Sequence, residues 1–203
     1  KDLKLLDNIQ CDVVYIPKNN DLYNKNEVAK KYDFKSLGND LEGKYRPGHF
    51  NGVATIVEKL LNIIKPQYAF FGQKDLQQLS IIKQLVNDKN INTEIIGCKT
   101  IREKNGIAKS SRNKLLSKSD FEISTSIYKQ LLFCKRNFEK IPFKEIRSHV
   151  LSNLKSDGFK IDYFEFIDLK TFAIQKEKIK GIKYAACVAV IISGVRLIDN
   201  IIL

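Results

Sequence analysis

Apolar residues along the first hundred positions alternate between strand-like and helix-like patterns. Residues 13–16 (VVYI) form a short apolar run that ends at Pro17, which predicts a buried strand. Apolar residues then recur every three or four positions in 53–64 and again in 76–86, which predicts two helices. Short apolar runs at 68–71 and 93–96 predict two further strands. This order of strand, helix, strand, helix, strand is typical of a doubly wound parallel sheet.

The pattern changes after residue 100. Residues 101–112 form a polar loop, and the spacing of Ser117 and Asp120 fits a capping box that opens a helix. Apolar spacing in 146–154 predicts another helix, ended by Gly158. Residues 161–169 and 184–192 predict strands, the second of which continues through 195–198. The sequence therefore predicts two domains, residues 1–99 and residues 100–203, the second being a small α+β domain.

The formal charge of +12 is unevenly distributed. Residues 1–100 carry 15 basic and 12 acidic side chains, whereas residues 101–203 carry 20 and 11. A basic half suits either a nucleic acid or a small anionic substrate. Aromatic residues such as Tyr163, Phe164 and Phe166, however, lie in apolar patterns typical of a sheet core rather than of a stacking surface. A nucleic-acid-binding module is therefore kept only as the alternative, and we expect no nucleic-acid partner.

Cysteine spacing and hydropathy limit the class of protein further. The four cysteines are far apart and none forms a CxxC pair, so we expect reduced thiols rather than zinc or disulfide sites. The longest apolar run, residues 184–195, is shorter than the ~20 residues of a membrane-spanning helix. No signal segment opens the chain. These features predict a cytoplasmic protein without a membrane partner.

A polar turn after the predicted strand at 68–71 carries candidate chemistry. Gly72, Gln73, Lys74 and Asp75 lie where a helix begins, and free N–H groups at a helix start attract anions. Gly72 allows close approach of a ligand, and Lys74 suits a phosphate. Asp75 either caps the helix or accepts hydrogen bonds from a ribose. Gln78, on the same helical face, presents an amide that both donates and accepts.

Two more polar clusters suit the binding of an anion. Lys109, Ser110, Ser111 and Arg112 place two hydroxyls beside a permanent cation, which fits a phosphate whose charge grows during a reaction. Arg46 and His49 precede the first long helix, where an imidazole has either a structural or a chemical role. Taken singly, each cluster is also compatible with an ordinary surface turn.

Taken in order, these clusters resemble the pantothenate synthetase family, the pantoate:β-alanine ligases. The resemblance rests on four segments: LEGKYRPGHFNGVATIV, FFGQKDLQQLSIIKQLV, IREKNGIAKSSRNKLL and VRLIDN. It implies a homodimeric, cytoplasmic enzyme that uses ATP and Mg²⁺ to activate pantoate as pantoyl adenylate and releases pyrophosphate. The amine of β-alanine then attacks, which gives pantothenate and AMP. A related ligase acting on another carboxylic acid stays open, because one amide cannot fix the substrate.

The resemblance also implies the fold and the roles of the site residues. It implies the second half of a Rossmann-like nucleotide-binding domain with a doubly wound parallel sheet at 1–99, followed by a small α+β domain at 100–203. The implied ATP-binding residues are Gly72, Gln73, Lys74, Asp75, Ile101, Lys109, Ser110, Ser111 and Arg112. Ile101 would read adenine through its backbone, and Gln78 would hold pantoate. Lys74, Ser110, Ser111 and Arg112 are the implied catalytic residues, Arg46 and His49 match the family without an assigned role, and no metal ligand is assigned.

The sequence departs from the family in two ways. Lys109 stands where many members have an apolar residue, and neither an HxGH phosphate loop nor a further glutamine of the family is found. We therefore expect the chain to be the later portion of a longer ligase, with little activity by itself. We also expect the turn after Phe71 and the loop around Ser110 and Arg112 to face each other across one triphosphate.

Overall fold

The structure, a computed structural model, describes residues 2–22, 28 and 30–203. The helices are α1 (Asp2–Asn8), α2 (Asn19–Leu22), α3 (Glu42–Tyr45), α4 (His49–Ile64), α5 (Leu76–Asp88), α6 (Lys118–Ile123), α7 (Thr125–Asn137) and α8 (Phe143–Ser156). The strands are β1 (Tyr68–Gly72), β2 (Glu94–Cys98), β3 (Lys160–Asp168), β4 (Ile174–Gln175), β5 (Tyr184–Ile192) and β6 (Val195–Ile202). Short 3₁₀ turns span Lys35–Gly38, Gln73–Asp75 and Ser111–Leu115.

A parallel pair of strands organises the first half. Strand β1 pairs with β2 in register from Tyr68 opposite Glu94 to Gly72 opposite Cys98. Helix α5 makes the crossover between them, as parallel pairing requires. The predicted helices and strands at 53–64, 68–71, 76–86 and 93–96 are confirmed with small shifts of their ends. Because β1 ends at Gly72, the following turn lies at the carboxyl edge of the sheet, where α/β folds bind ligands.

The predicted strand at residues 13–16 is wrong. Its side chains are exposed, Val13 by 80% and Ile16 by 65%, and the parallel sheet of the described residues contains β1 and β2 alone. An apolar run forms a strand only where a neighbouring strand offers partners for its backbone N–H and C=O groups. Within the described part of the chain, residues 13–16 have no such neighbour, and the parallel sheet is smaller than the pattern suggests.

The second half is built on an antiparallel sheet in the order β4-β3-β5-β6, with α7 and α8 packed on one face. The prediction that residues 195–198 continue the second strand is wrong. Ser193 and Gly194 both have positive φ (47° and 79°) and reverse the chain, so that β6 pairs antiparallel with β5. This two-residue turn matches the twist of a hairpin. The apolar residues on both sides of it made two strands resemble one.

Buried apolar residues form three clusters. One lies between α7, α8 and the antiparallel sheet, and one joins α4 and α5. The third takes residues from both halves: Leu41, Leu76, Tyr163, Ile167, Phe172, Ala185, Cys187 and Ala189. Phe164 and Phe166 are buried, which confirms that these aromatic residues belong to a sheet core. The domain boundary between residues 99 and 100 stays a prediction.

The helix lengths and the state of the cysteines complete the description of the fold. None of the helices in the described residues is long and apolar enough to cross a membrane. The four cysteines are free thiols, of which Cys134 and Cys187 are buried. Burial raises the pKa of Cys134 to about 12, so this thiol stays protonated and inert at neutral pH.

Candidate active site

A cleft forms where the turn after β1, the loop before α6 and strand β6 meet. Lys74 lines this cleft from the Gln73–Asp75 turn, and Ser110 and Arg112 line it from the loop. Arg196 and Asp199 of β6 form part of the same wall. The structure thus brings together two segments that lie far apart in the chain, as the sequence led us to expect. Lys74 and Arg112 supply two cations to this one cleft.

A second cleft adjoins the first. Lys74 and Asp199 line both clefts, and Arg46, His49 and Gln78 line only the second. Arg46 follows the end of α3, His49 is the first residue of α4, and Gln78 comes from the first turn of α5. The two halves of the predicted site, one for phosphates and one for a carboxylic acid, therefore adjoin each other at Lys74.

Other predicted site residues lie outside these two clefts. The side chains of Lys109 and Ser111 are exposed, and Ile101 is 66% exposed. Gln73 is half-buried and presents its carbonyl inward to β6. Ile101 accepts a backbone hydrogen bond from Lys109 (2.9 Å), which closes the base of the loop. The binding roles of these residues stay predictions.

Gly72 lies in open space at the end of β1. Its backbone is ordinarily extended (φ −70°, ψ 128°), and a Cβ added there would have no neighbour within 4 Å. Neither backbone strain nor packing in the described residues requires a glycine at this position. The space in front of Gly72 is therefore free for a ligand.

His49 is held as a neutral imidazole. Its Nε2 atom lies 2.9 Å from the Arg46 guanidinium, which only donates hydrogen bonds, so Nε2 accepts and Nδ1 carries the proton. Burial and the charge of Arg46 lower the pKa of His49, and the nearby carboxylates of Glu42 and Asp75 only partly oppose this. At neutral pH, His49 adds a polar group to the second cleft without adding charge.

Asn200 of β6 was missed by the sequence analysis. Its Nδ2 group donates to the carbonyl oxygens of Gln73 and Lys74, each at 2.9 Å. It therefore holds the turn that carries Lys74. A polar Asp-Asn pair at the end of an apolar strand in VRLIDN was the available signal, but its partners are more than a hundred positions away.

Arg102 ties the loop at 101–112 to the same strand. It donates two hydrogen bonds to the carboxylate of Asp199 (2.6 and 3.0 Å) and one to the Gly106 carbonyl (3.1 Å). Its guanidinium lies 3.7 Å from the ring centroid of Tyr128. Gly106 has φ +96°, and an added Cβ would lie 2.6 Å from this ring, so the close packing requires glycine. The loop is thus fixed by named contacts before any ligand binds.

A buried ionic cluster lies behind the clefts. Arg196 donates two hydrogen bonds of 2.8 Å to Glu42 and one of 2.7 Å to Asp162. Tyr163 donates a further hydrogen bond of 2.8 Å to Glu42. The carbonyl of Arg196 also accepts a hydrogen bond from the Arg112 guanidinium (3.2 Å). The cluster connects α3 to the antiparallel sheet and, through Arg112, to the loop at 101–112.

We expect this cluster to make stability depend on pH in the acidic range. Burial alone would raise the pKa of Glu42, but hydrogen bonds from Arg196 and Tyr163 hold it below its ordinary value of 4.5. A carboxylate with a lowered folded-state pKa contributes its full stabilisation above pH 4.5 and loses it as the pH falls through the folded-state pKa. Urea unfolding of the native chain and of Glu42→Gln at several pH values measures this. Their difference should shrink below pH 4.5, and a difference that does not vary with pH would contradict the assignment.

Known proteins resemble this chain over nearly its whole length. Residues 1–202 match the family model described as pantoate-beta-alanine ligase. The pantothenate synthetase of Flavobacterium psychrophilum is 41% identical over 93% of this chain and 67% of its own length. That of Christiangramia forsetii is 39% identical over 100% of this chain and 72% of its own length.

Solved structures give the same result. The pantothenate synthetase of Thermus thermophilus superposes with a TM-score of 0.91 at 31% identity, covering 98% of this chain and 72% of that protein. A pantoate-beta-alanine ligase from Francisella tularensis, complexed with beta-gamma ATP and beta-alanine, has a TM-score of 0.77 at 36% identity and covers 99% and 68%. The match over nearly the whole chain shows that this protein belongs to the pantoate-beta-alanine ligase family.

Proposed function

We propose that this chain binds ATP and takes part in the ATP-dependent ligation of pantoate to β-alanine through a pantoyl-adenylate intermediate. The observation that carries the proposal is the convergence of Lys74, Ser110 and Arg112 on one cleft. A relative with 36% identity has been solved with beta-gamma ATP and beta-alanine, which gives the proposal its substrates. The cations of this cleft therefore match the charge of a phosphate, in a chain whose family joins an acid to an amine.

The charges of the first cleft fit the activation step. A carboxylate oxygen of pantoate attacks the α-phosphorus of ATP, and pyrophosphate leaves with the bonding electrons. Negative charge then grows on the phosphate oxygens, where the Lys74 ammonium and the Arg112 guanidinium stabilise it from two sides. The Ser110 hydroxyl adds a neutral donor. Both residues line the cleft, and the Arg112 guanidinium is anchored by its hydrogen bond to the Arg196 carbonyl.

The second cleft fits the acid and the incoming amine. We assign Gln78 to pantoate, since its amide donates to a carboxylate and accepts from a hydroxyl. The amine of β-alanine then attacks the acyl carbon, loses a proton and displaces AMP. Gly72 and Asp75 are assigned to the ribose, and the backbone of Ile101 to adenine. These assignments rest on the family resemblance, and Gln78 and Asp75 also line the second cleft.

Magnesium enters the proposal as part of the nucleotide substrate. The described residues contain no group of three or more His, Cys, Asp or Glu side chains that could hold a metal ion. Mg²⁺ is commonly bound by phosphates, waters and one or two carboxylates, so a phosphate site does not require such a group. A homodimer in the cytoplasm completes the proposal on the basis of family membership alone.

Calorimetric titration tests the proposal. The chain is titrated with ATP and Mg²⁺, with adenosine, and with pantoate in the presence of a non-hydrolysable ATP analogue. We expect ATP to bind more tightly than adenosine, because Lys74 and Arg112 contact only the phosphates, and we expect pantoate to bind to the nucleotide complex. Equal affinities for ATP and adenosine, or no binding at millimolar ATP, would contradict the proposal.

The open space at Gly72 leads to a prediction that separates binding from folding. Gly72→Ala should leave the free energy of unfolding within about 0.5 kcal/mol of the native value, because the backbone is extended and the space is empty. The same methyl group would meet a nucleotide placed against the strand end and weaken its binding. Urea unfolding and calorimetry measure the two effects. Gly106→Ala is the matched control, since there the methyl group would meet Tyr128 and destabilise the fold.

A further inference from the structure

Two adjacent side chains of β6 hold the two segments that line the first cleft. Asn200 holds the Gln73–Asp75 turn through the carbonyls of Gln73 and Lys74. Asp199 holds the loop at 101–112 through the two hydrogen bonds from Arg102. We infer that this Asp199-Asn200 pair is a positioning element of the active site, in which Asn200 acts on the nucleotide through Lys74.

The turn that carries Lys74 lacks a side-chain cap of its own. In the described residues, neither the 3₁₀ turn nor the start of α5 has a side-chain cap hydrogen bond. Free carbonyl and N–H groups at such a junction leave several backbone conformations close in energy. The two hydrogen bonds from Asn200 therefore select one of them. Because Lys74 is the middle residue of this turn, the same contacts fix the backbone from which its side chain extends.

The Asn200 amide is buried in an orientation that its partners determine. Both carbonyl partners only accept, so Nδ2 must face the turn and Oδ1 must face away. Asn200 is only 4% exposed, so Oδ1 is a buried acceptor, and it has no hydrogen-bond partner in the described residues. An unpaired buried acceptor costs stability. Asn200 thus gives precise positioning of the turn at the expense of part of the stability that an apolar residue would contribute.

The neighbouring contacts extend this effect to the other side of the cleft. Arg102 also donates to the Asn200 carbonyl (3.4 Å), and Arg112 donates to the Arg196 carbonyl on the same strand (3.2 Å). Both segments that line the first cleft are therefore hydrogen-bonded to one strand, β6. The spacing between the Lys74 ammonium and the Arg112 guanidinium is set by β6 rather than by either loop alone.

Two substitutions at Asn200 test the inference, which rests on the proposed function for its nucleotide part. Asn200→Ala removes both donors, and Asn200→Leu does so while keeping a side chain of similar shape that needs no hydrogen bonds. We expect amide hydrogen exchange at residues 73–76 to rise at least about tenfold in both variants, because two hydrogen bonds to the turn are lost, with exchange in the rest of α5 unchanged. This measurement needs no ligand and remains valid if one variant is less stable.

A double-mutant comparison then tests whether Asn200 acts through Lys74. Each Asn200 variant should weaken ATP binding about tenfold and adenosine binding by a smaller factor, because Asp75 of the same turn is assigned to the ribose, and most of the ATP effect should disappear in a Lys74→Ala background. Asn137→Ala is the matched control, because Asn137 also donates to a backbone carbonyl (2.9 Å, Phe133) but on α7. It should change neither measurement.

Three results would overturn the inference. These are unchanged exchange at residues 73–76, a parallel loss of adenosine affinity, or an undiminished effect of the Asn200 substitutions when Lys74 is absent. If the native chain bound no ATP, the proposed function would fail. The exchange experiment would still decide whether Asn200 orders the turn, so the two failures are distinguishable.

Discussion

Replacing Arg196 with alanine is expected to lower the free energy of unfolding by about 3–5 kcal/mol, the range for breaking a buried ion pair by removing one partner. Arg196 is the shared donor for Glu42 and Asp162, and its side chain is only 18% exposed. Without it, Glu42 keeps the hydrogen bond from Tyr163 but has lost its main counter-charge inside the protein. Urea unfolding followed by circular dichroism at pH 7 measures the loss.

Arg147 provides the matched control for this experiment. It also pairs with a carboxylate, that of Glu165, but its side chain is 40% exposed. Solvent screens an ion pair at such a position, so Arg147→Ala should cost about 1 kcal/mol or less. If Arg196→Ala were no more destabilising than Arg147→Ala, the buried cluster would not have the energetic role that its geometry indicates.

Replacing Lys74 with alanine is expected to weaken ATP binding by about 10- to 100-fold, the equivalent of one charged hydrogen bond. Lys74 lines both clefts, and it shares the first with Ser110 and Arg112. Its ammonium suits the phosphates rather than the nucleoside, so adenosine affinity should be unchanged. Calorimetry with ATP, ADP and adenosine measures the affinities of the native chain and of Lys74→Ala. The ratio of the two affinities should decrease as phosphates are removed from the ligand.

Lys83→Ala controls for the loss of one positive charge. Lys83 is an exposed residue of α5, the helix that follows the turn carrying Lys74, and removing it changes the net charge by the same amount. It should reduce ATP affinity by less than twofold at 0.15 M salt, since exposed charges farther away than about 8 Å are largely screened there. Equal effects of the two substitutions would show that Lys74 acts only through the overall charge of the chain.

Local patterns predicted the elements around the site correctly. The periodic apolar faces predicted α4 and α5, and the short apolar runs predicted β1 and β2, because burial of one face determines these elements. The polar turn at residues 72–75 could be located for the same reason, since it follows a strand that the pattern had identified. The pattern failed at residues 13–16, where the apolar run has no strand beside it in the described structure.

Contacts between distant polar residues could not be predicted from local patterns. Glu42 and Arg196 are 154 positions apart, and Asn200 lies 126 positions from Lys74. Periodicity carries information about burial but none about which buried polar groups become partners. Asp199 and Asn200 stood in a segment that resembles the family, so their presence was noticed while their role was not. The partners of buried polar side chains became clear only from the fold.

The third apolar cluster affects how this chain could be recombined with a relative. Leu41 and Leu76 contribute to it from the first half, and Tyr163, Phe172 and Cys187 contribute from the second. A chimera joined near residue 99 would combine side chains from two different parents in a close-packed interior, where a change of one methylene is felt. Exchanging residues 41 and 76 together with the sheet that covers them would keep the packing of a single parent.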